Sequence, residues 1–223
     1  MILLEMDFHT ILFDLDGTVT DPKEGITRSV AYALEHFGIK VDDLDTLTKF
    51  IGPPLLDSFS EFYGLSDEDC KTAVSKYRER YRVTGWAENI PYDGMAELLS
   101  DLKRAGKTIS LATSKPEEFA EKILNHFDLA QYFDLICGAP MNAPKGHGKV
   151  DVIEDALKRL NITDRSGVLM VGDRLHDTEG AHKAGLPCAG VLFGYGDRTE
   201  HEECGSDYIA ADMQELRELL LSK

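Results

Sequence analysis

Cysteine is scarce and scattered in this chain. The four cysteines, Cys70, Cys137, Cys188 and Cys204, include no Cys-x-x-Cys pair. That excludes a disulfide scaffold and predicts reduced packing thiols in a cytoplasmic protein. Histidines are also dispersed, without the spacing of a zinc site. Basic charge is in deficit: 24 Lys and Arg against 40 Asp and Glu give a formal net charge of −16. Nucleic-acid backbones and anionic membrane surfaces are therefore disfavoured as partners. A small anionic substrate is not, because a bound metal reverses the local field. No apolar run has the length of a membrane span, and residues 1–6 carry Glu5 and no basic leader, so neither a spanning helix nor a signal peptide is expected. Repeats and low-complexity tracts are missing too. The 223 residues, 43% hydrophobic and 29% charged, suffice for one large domain or a core with a smaller insert.

The most informative stretch is Thr10-Ile11-Leu12-Phe13 followed by Asp14-Leu15-Asp16-Gly17-Thr18. A short β-branched and aromatic run reads as a buried strand. Two carboxylates spaced by two follow it, then a tight-turn glycine. Ligands of open α/β sheets bind beyond the carboxyl ends of the strands. Two carboxylates there repel one another unless a cation or a proton lies between them.

Further strand-like runs lie at 107–113, 133–138, 167–173 and 187–193, with a short edge strand expected at 208–210. Each is nearly continuous in apolar residues, as strands covered on both faces are. Helical patterns fill the intervals at 93–104, 116–127, 150–160 and 177–184, and a last helix is expected at 213–221. Asp93 is read as an N-cap and Pro116 as a first-turn residue. The alternation predicts an α/β fold, a doubly wound parallel sheet of Rossmann type with right-handed crossovers. One interval breaks the rhythm. Some seventy residues after the first strand carry apolar residues only at helical spacing, for example Ile26, Val30, Ala33, Leu34 and Phe37. The expected organisation is a core of residues 1–19 and 87–223 with a helical insert of residues 20–86.

Three more groups stand at strand ends or helix starts. Thr113, followed by Ser114 and Lys115, offers a hydroxyl for a phosphoryl oxygen or, equally, a cap for the next helix. Lys149, or Lys145 four residues earlier, offers a fixed cation. Gly146-His147-Gly148-Lys149 is not a P-loop, because the spacing and the following Ser or Thr are missing. Asp173 ends the run at 167–173, and Asp177 stands four residues on. With Asp14 and Asp16, Asp173 makes three carboxylates at strand ends, a hard-oxygen set that suits Mg²⁺.

These four motifs, in this order, resemble those of the haloacid dehalogenase-like hydrolases over about residues 8–212. The Gly52-Pro53-Pro54-Leu55 turn and the Gly194-Tyr195-Gly196 run resemble the phosphoglycolate phosphatase and 5′-nucleotidase-like branch. The resemblance implies a Mg²⁺-dependent phosphoric monoester hydrolase. Asp14 is the expected nucleophile, forming an aspartyl-phosphate, and Asp16 the acid–base. Asp14, Asp173 and the Asp16 backbone carbonyl are the expected metal ligands, with Asp177 behind them. Thr113, Ser114 through its backbone N–H, Lys115 and Lys149 are the expected contacts to substrate. The insert corresponds to the family's cap, which implies a small phosphorylated metabolite. Phosphoglycolate is the first expectation and a nucleoside monophosphate the second. A monomer or weak homodimer is expected. Two other readings are a phosphomutase of the β-phosphoglucomutase type and a non-catalytic module whose Asp14 only accepts phosphate.

Overall fold

The computed structural model describes residues 7–144 and 146–222. Lys145 and residues 1–6, both named above, lie outside them. The chain divides into two compact units, Met1–Thr20 with Pro91–Lys223, and Asp21–Ile90.

The first unit is built on a six-stranded, wholly parallel sheet. Its strands are β1 (Thr10–Phe13), β4 (Thr108–Pro116), β5 (Leu135–Ala139), β6 (Val168–Gly172), β7 (Cys188–Val191) and β8 (Tyr208–Ala210). Around them run helices α4 (Met95–Arg104), α5 (Glu117–His126), α6 (Lys149–Arg159), α7 (Leu175–Lys183), α8 (Arg198–Cys204) and α9 (Met213–Leu221). Every residue of β1, β6 and β7 is buried. That explains their unbroken apolar runs: a parallel sheet covered on both faces has no polar side. Leu12, Ala112, Met170 and Cys188 from four strands pack with Val152, Ile153, Ala156 and Ala181 from α6 and α7 in one core cluster.

The strand order β5-β4-β1-β6-β7-β8 makes β1 the switch point. The chain leaves β1 toward β4 and β5, then returns to the other side of β1 as β6. The connections on its two sides run in opposite directions, which opens a crevice beyond the carboxyl end of β1. Asp14 and Asp173 directly follow β1 and β6, and Thr113 lies in the carboxyl half of the neighbouring β4, so all three stand toward that end of the sheet.

The second unit contains α1 (Lys23–Glu35), α2 (Leu55–Tyr63) and α3 (Asp67–Tyr81). Val30, Ala33, Leu34, Phe59, Ala73 and Tyr81 are buried, matching the helical spacing. The structure differs from the expected insert in two respects. Two-residue strands β2 (Thr20–Asp21) and β3 (Ile90–Pro91) form a separate two-stranded sheet, too short to register as strand pattern. The division also falls after Ile90 rather than after residue 86. Its cause is Glu88, whose carbonyl accepts from Gly25 N–H at 3.1 Å and whose carboxylate is gripped by Arg80 at 2.8 Å to both oxygens. The returning segment is thereby fastened to α1 and α3.

Two cap assignments are corrected. Gly94 at φ 83°, not Asp93, is the N-cap of α4. Pro116 closes β4 and caps α5 rather than entering it. Helix α8 was not anticipated; seven residues with one buried position carry too little periodicity to show.

Candidate active site

Asp14 follows β1 directly and its backbone N–H donates to the Val171 carbonyl at 2.9 Å. The carboxylate therefore sits at a place fixed by the sheet. Asp14, Asp173 and Asp177 are all buried, and one carboxylate oxygen from each lies within 4.8 Å of the others. Asp173 follows β6 and is enclosed by glycines. A Cβ on Gly17, which has φ +83°, or on Gly194 would collide with its carboxylate. Tyr195 N–H donates to Asp173 Oδ2 at 2.8 Å, and Thr18 Oγ1 to Oδ1 at 3.4 Å. The Gly194-Tyr195-Gly196 run thus has a physical task that its sequence left unstated: its backbone closes on Asp173 where side chains would not fit.

Lys149 is the counter-charge. It begins α6, and its stem passes Gly180, where an added Cβ would stand 2.7 Å from Lys149 Cβ and Cγ. Its Nζ lies 2.7 Å from Asp14 Oδ1 and 2.7 Å from Asp177 Oδ1, and donates to the Ala112 carbonyl at 3.2 Å. Burial works against the ammonium, but Asp14 and Asp177 outweigh it and raise its pKa above the usual lysine value. Asp177 is held from its other side, because Oδ2 accepts from Arg174 N–H at 3.1 Å.

The second lysine does something the sequence did not reveal. Lys115 Nζ lies 2.5 Å from Asp16 Oδ2. Lys115 lies in the stretch between Thr113 and Pro116 where the register of β4 against β5 shifts. Ser114 is turned outward and exposed while Lys115 is buried. The contact expected of Ser114 is its backbone N–H, which does not depend on where the side chain points. Thr113 is buried, and its Oγ1 accepts from Lys115 N–H at 3.2 Å, which leaves the hydroxyl proton to donate.

The four carboxylates have unequal settings. Desolvation raises the pKa of Asp173 well above its ordinary value, with Asp177 and Asp14 adding to it. Desolvation also raises Asp177 against the opposing pull of Lys149, and raises Asp16 against that of Lys115. Four carboxylates stand with two ammoniums, so the cluster is two charges negative when all are ionised. A divalent cation fits this set: the donors are hard oxygens, few in number, and negative in excess.

Among the described residues no helix is long and apolar enough to cross a membrane. All four cysteines are thiols rather than disulfide halves. Burial and then Asp155 push the Cys137 thiol up to about 12, and burial raises that of Cys188.

A family model described as haloacid dehalogenase-like hydrolase matches residues 11–191. A protein from Pseudomonas aeruginosa named 5′-nucleotidase is 44% identical over 96% of each chain. One from Mycobacterium tuberculosis named tyrosine-protein kinase PtkA is 40% identical over 94% of this chain and 72% of its own length. A crystal structure described as a predicted phosphatase from Clostridium acetobutylicum aligns with a TM-score of 0.92 at 45% identity, covering 96% of this chain and 98% of its own.

Proposed function

Because the chain belongs to the haloacid dehalogenase-like hydrolase family and is a phosphoric monoester hydrolase, we propose that it hydrolyses a small phosphorylated metabolite through an aspartyl-phosphate on Asp14. The observation that supports this most is the convergence at one sheet edge of Asp14, Asp16 and Asp173 with Thr113 and Lys149.

In the first half-reaction an Asp14 carboxylate oxygen attacks phosphorus and the bond from phosphorus to the leaving oxygen breaks. Asp16 gives its proton to that oxygen, so an alcohol leaves rather than an alkoxide. In the second, Asp16 takes a proton from water as the water attacks phosphorus and frees Asp14. Thr113 Oγ1 donates to a phosphoryl oxygen, the Ser114 backbone N–H supplies another donor, and Lys149 sets a fixed positive charge beside Asp14. Asp177 holds Lys149 in place. Asp14, Asp173 and the Asp16 backbone carbonyl would hold Mg²⁺, which neutralises phosphate charge when bound. We assign the helical unit the family's cap role, selection of the leaving group. A cytoplasmic location belongs to the same reading.

The 44% identical relative named 5′-nucleotidase moves a nucleoside 5′-monophosphate ahead of phosphoglycolate as the substrate to try first. A panel of phosphate esters, ranked by kcat/KM with Mg²⁺ and with excess chelator, tests the reading. We expect a nucleoside monophosphate at the top and loss of turnover in chelator. Faster transfer of the phosphoryl group to a second sugar phosphate than to water would favour a phosphomutase instead. Full activity in chelator would contradict the metal assignment.

A further inference from the structure

We propose that Lys115 is a positioning residue for the acid–base aspartate, one that fixes which oxygen of Asp16 carries the reacting proton. The inference rests on the reading of Asp16 given above and assigns Lys115 a different task from the substrate contact expected from sequence.

Three observations carry it. First, the pair is close and dry. Lys115 Nζ lies 2.5 Å from Asp16 Oδ2, with the two side chains 5% and 13% exposed. Second, the backbone at Lys115 is tied down, because its N–H donates to the buried Thr113 Oγ1 at 3.2 Å. Third, the other oxygen, Asp16 Oδ1, is buried and has no hydrogen-bond partner among the described residues. An ammonium only donates. Oδ2 must therefore accept from Lys115, and a proton on Asp16 must reside on Oδ1. That oxygen has no competing partner, and a buried polar atom without one is costly to leave so. A leaving-group oxygen or a water supplies the partner. Without Lys115 the proton would distribute over both oxygens and the carboxyl would be free to rotate.

The positioning matters only where the proton matters. Esters of alcohols with high pKa need the leaving oxygen protonated as the bond breaks, whereas an activated aryl phosphate does not. Lys115→Met keeps the stem and removes the donor. We expect its kcat on an alkyl phosphate to fall about 30-fold, a fraction of what general acid–base catalysis supplies. On p-nitrophenyl phosphate kcat should change by less than about threefold, and inhibition by inorganic phosphate by less than about twofold. Lys115→Arg, which keeps a donor-only cation, should recover most of the alkyl activity. Measured on the alkyl ester in an Asp16→Asn background, Lys115→Met should add less than about a twofold loss, because the group it acts through is gone. Equal losses on both ester classes, or weakened phosphate inhibition, would make Lys115 a substrate contact and overturn the proposal. So would an undiminished Lys115→Met effect beside Asn at position 16. Should Lys115→Met not fold, Lys115→Gln read against Lys115→Arg on the same two esters decides by the same ratio. If the unaltered enzyme released phosphate from no ester, the reading of the site would fail, and this inference with it. Turnover by the unaltered enzyme with an ester-independent loss in the variant overturns the inference alone.

Discussion

The carboxyl edge of the parallel sheet and the helical unit use the same charged side chains in opposite settings. In the helical unit Lys23 pairs with Asp45 at 2.9 Å, Arg28 with Glu24 at 2.5 Å and Lys76 with Glu79 at 2.8 Å, all with at least one partner largely in solvent. Lys49 there stands over the ring of Phe62, its Nζ 4.4 Å from the ring centroid. At the sheet edge, Lys149 and Lys115 reach Asp14, Asp177 and Asp16 at similar distances with almost no exposure. Distance therefore does not separate the two regions; desolvation does. An exposed pair gains little because water screens it and its side chains lose entropy. A buried cluster whose carboxylates outnumber its ammoniums carries a standing penalty, and a fold that keeps such a cluster keeps it for chemistry.

The sharpest break of this comparison is Asp14→Asn. The shape survives and the nucleophile does not, so turnover of every ester should fall by about 10⁴-fold or more while the thermal midpoint holds or rises. Steady-state kinetics beside a melting curve checks both halves.

Next in size is Lys149→Met. Loss of the ammonium leaves Asp14 and Asp177 buried and uncompensated, so chemical denaturation should report a destabilisation of about 3–5 kcal/mol. Adding Asp177→Asn should restore part of it, because one of the stranded charges is removed. Strict additivity of the two substitutions would mean that the bridge is not a coupled unit.

The third prediction concerns pH. The folded-state pKa of Asp173 is raised by desolvation and by Asp177 and Asp14, above the unfolded value of about 3.9. Between the two values the folded chain binds more protons than the unfolded one. Stability in chelator should therefore fall as pH rises from about 4 through the raised pKa, where the loss is complete. Mg²⁺ should flatten that slope and raise the midpoint at neutral pH. Asp173→Asn should flatten it without metal. A chelated protein that grows more stable across the same range would contradict the burial argument.

The smallest effect belongs to the helical unit. Lys76→Ala, which removes an exposed pair, should leave both the thermal midpoint and kcat unchanged within error.

The sequence disclosed the strand ends better than it disclosed what happens around them. Thr10–Phe13 and Val168–Gly172 read plainly, because apolar continuity follows directly from burial on both faces. The acidic residues at the switch point were visible for the same reason. The Lys115–Asp16 pair was not, since it joins residues 99 positions apart, a contact that no local pattern marks. Nor was the grip of Tyr195 N–H on Asp173, which is made by backbone; only the paired glycines at 194 and 196 hinted at a close approach. Boundaries near Glu88 were missed because a salt bridge and one backbone hydrogen bond, not a hydrophobic period, decide to which unit that segment belongs.

The central claim is that Asp14 is the residue that takes the phosphoryl group. The most direct measurement is reductive trapping during turnover: enzyme quenched while hydrolysing its best ester, treated with borohydride, digested and sequenced by tandem mass spectrometry. An acyl phosphate is reduced to an alcohol and a free carboxylate is not. The account predicts homoserine at position 14, dependent on substrate and on Mg²⁺. Unmodified Asp14 in an enzyme shown to be turning over under the same quench, or the label at another residue, would contradict it.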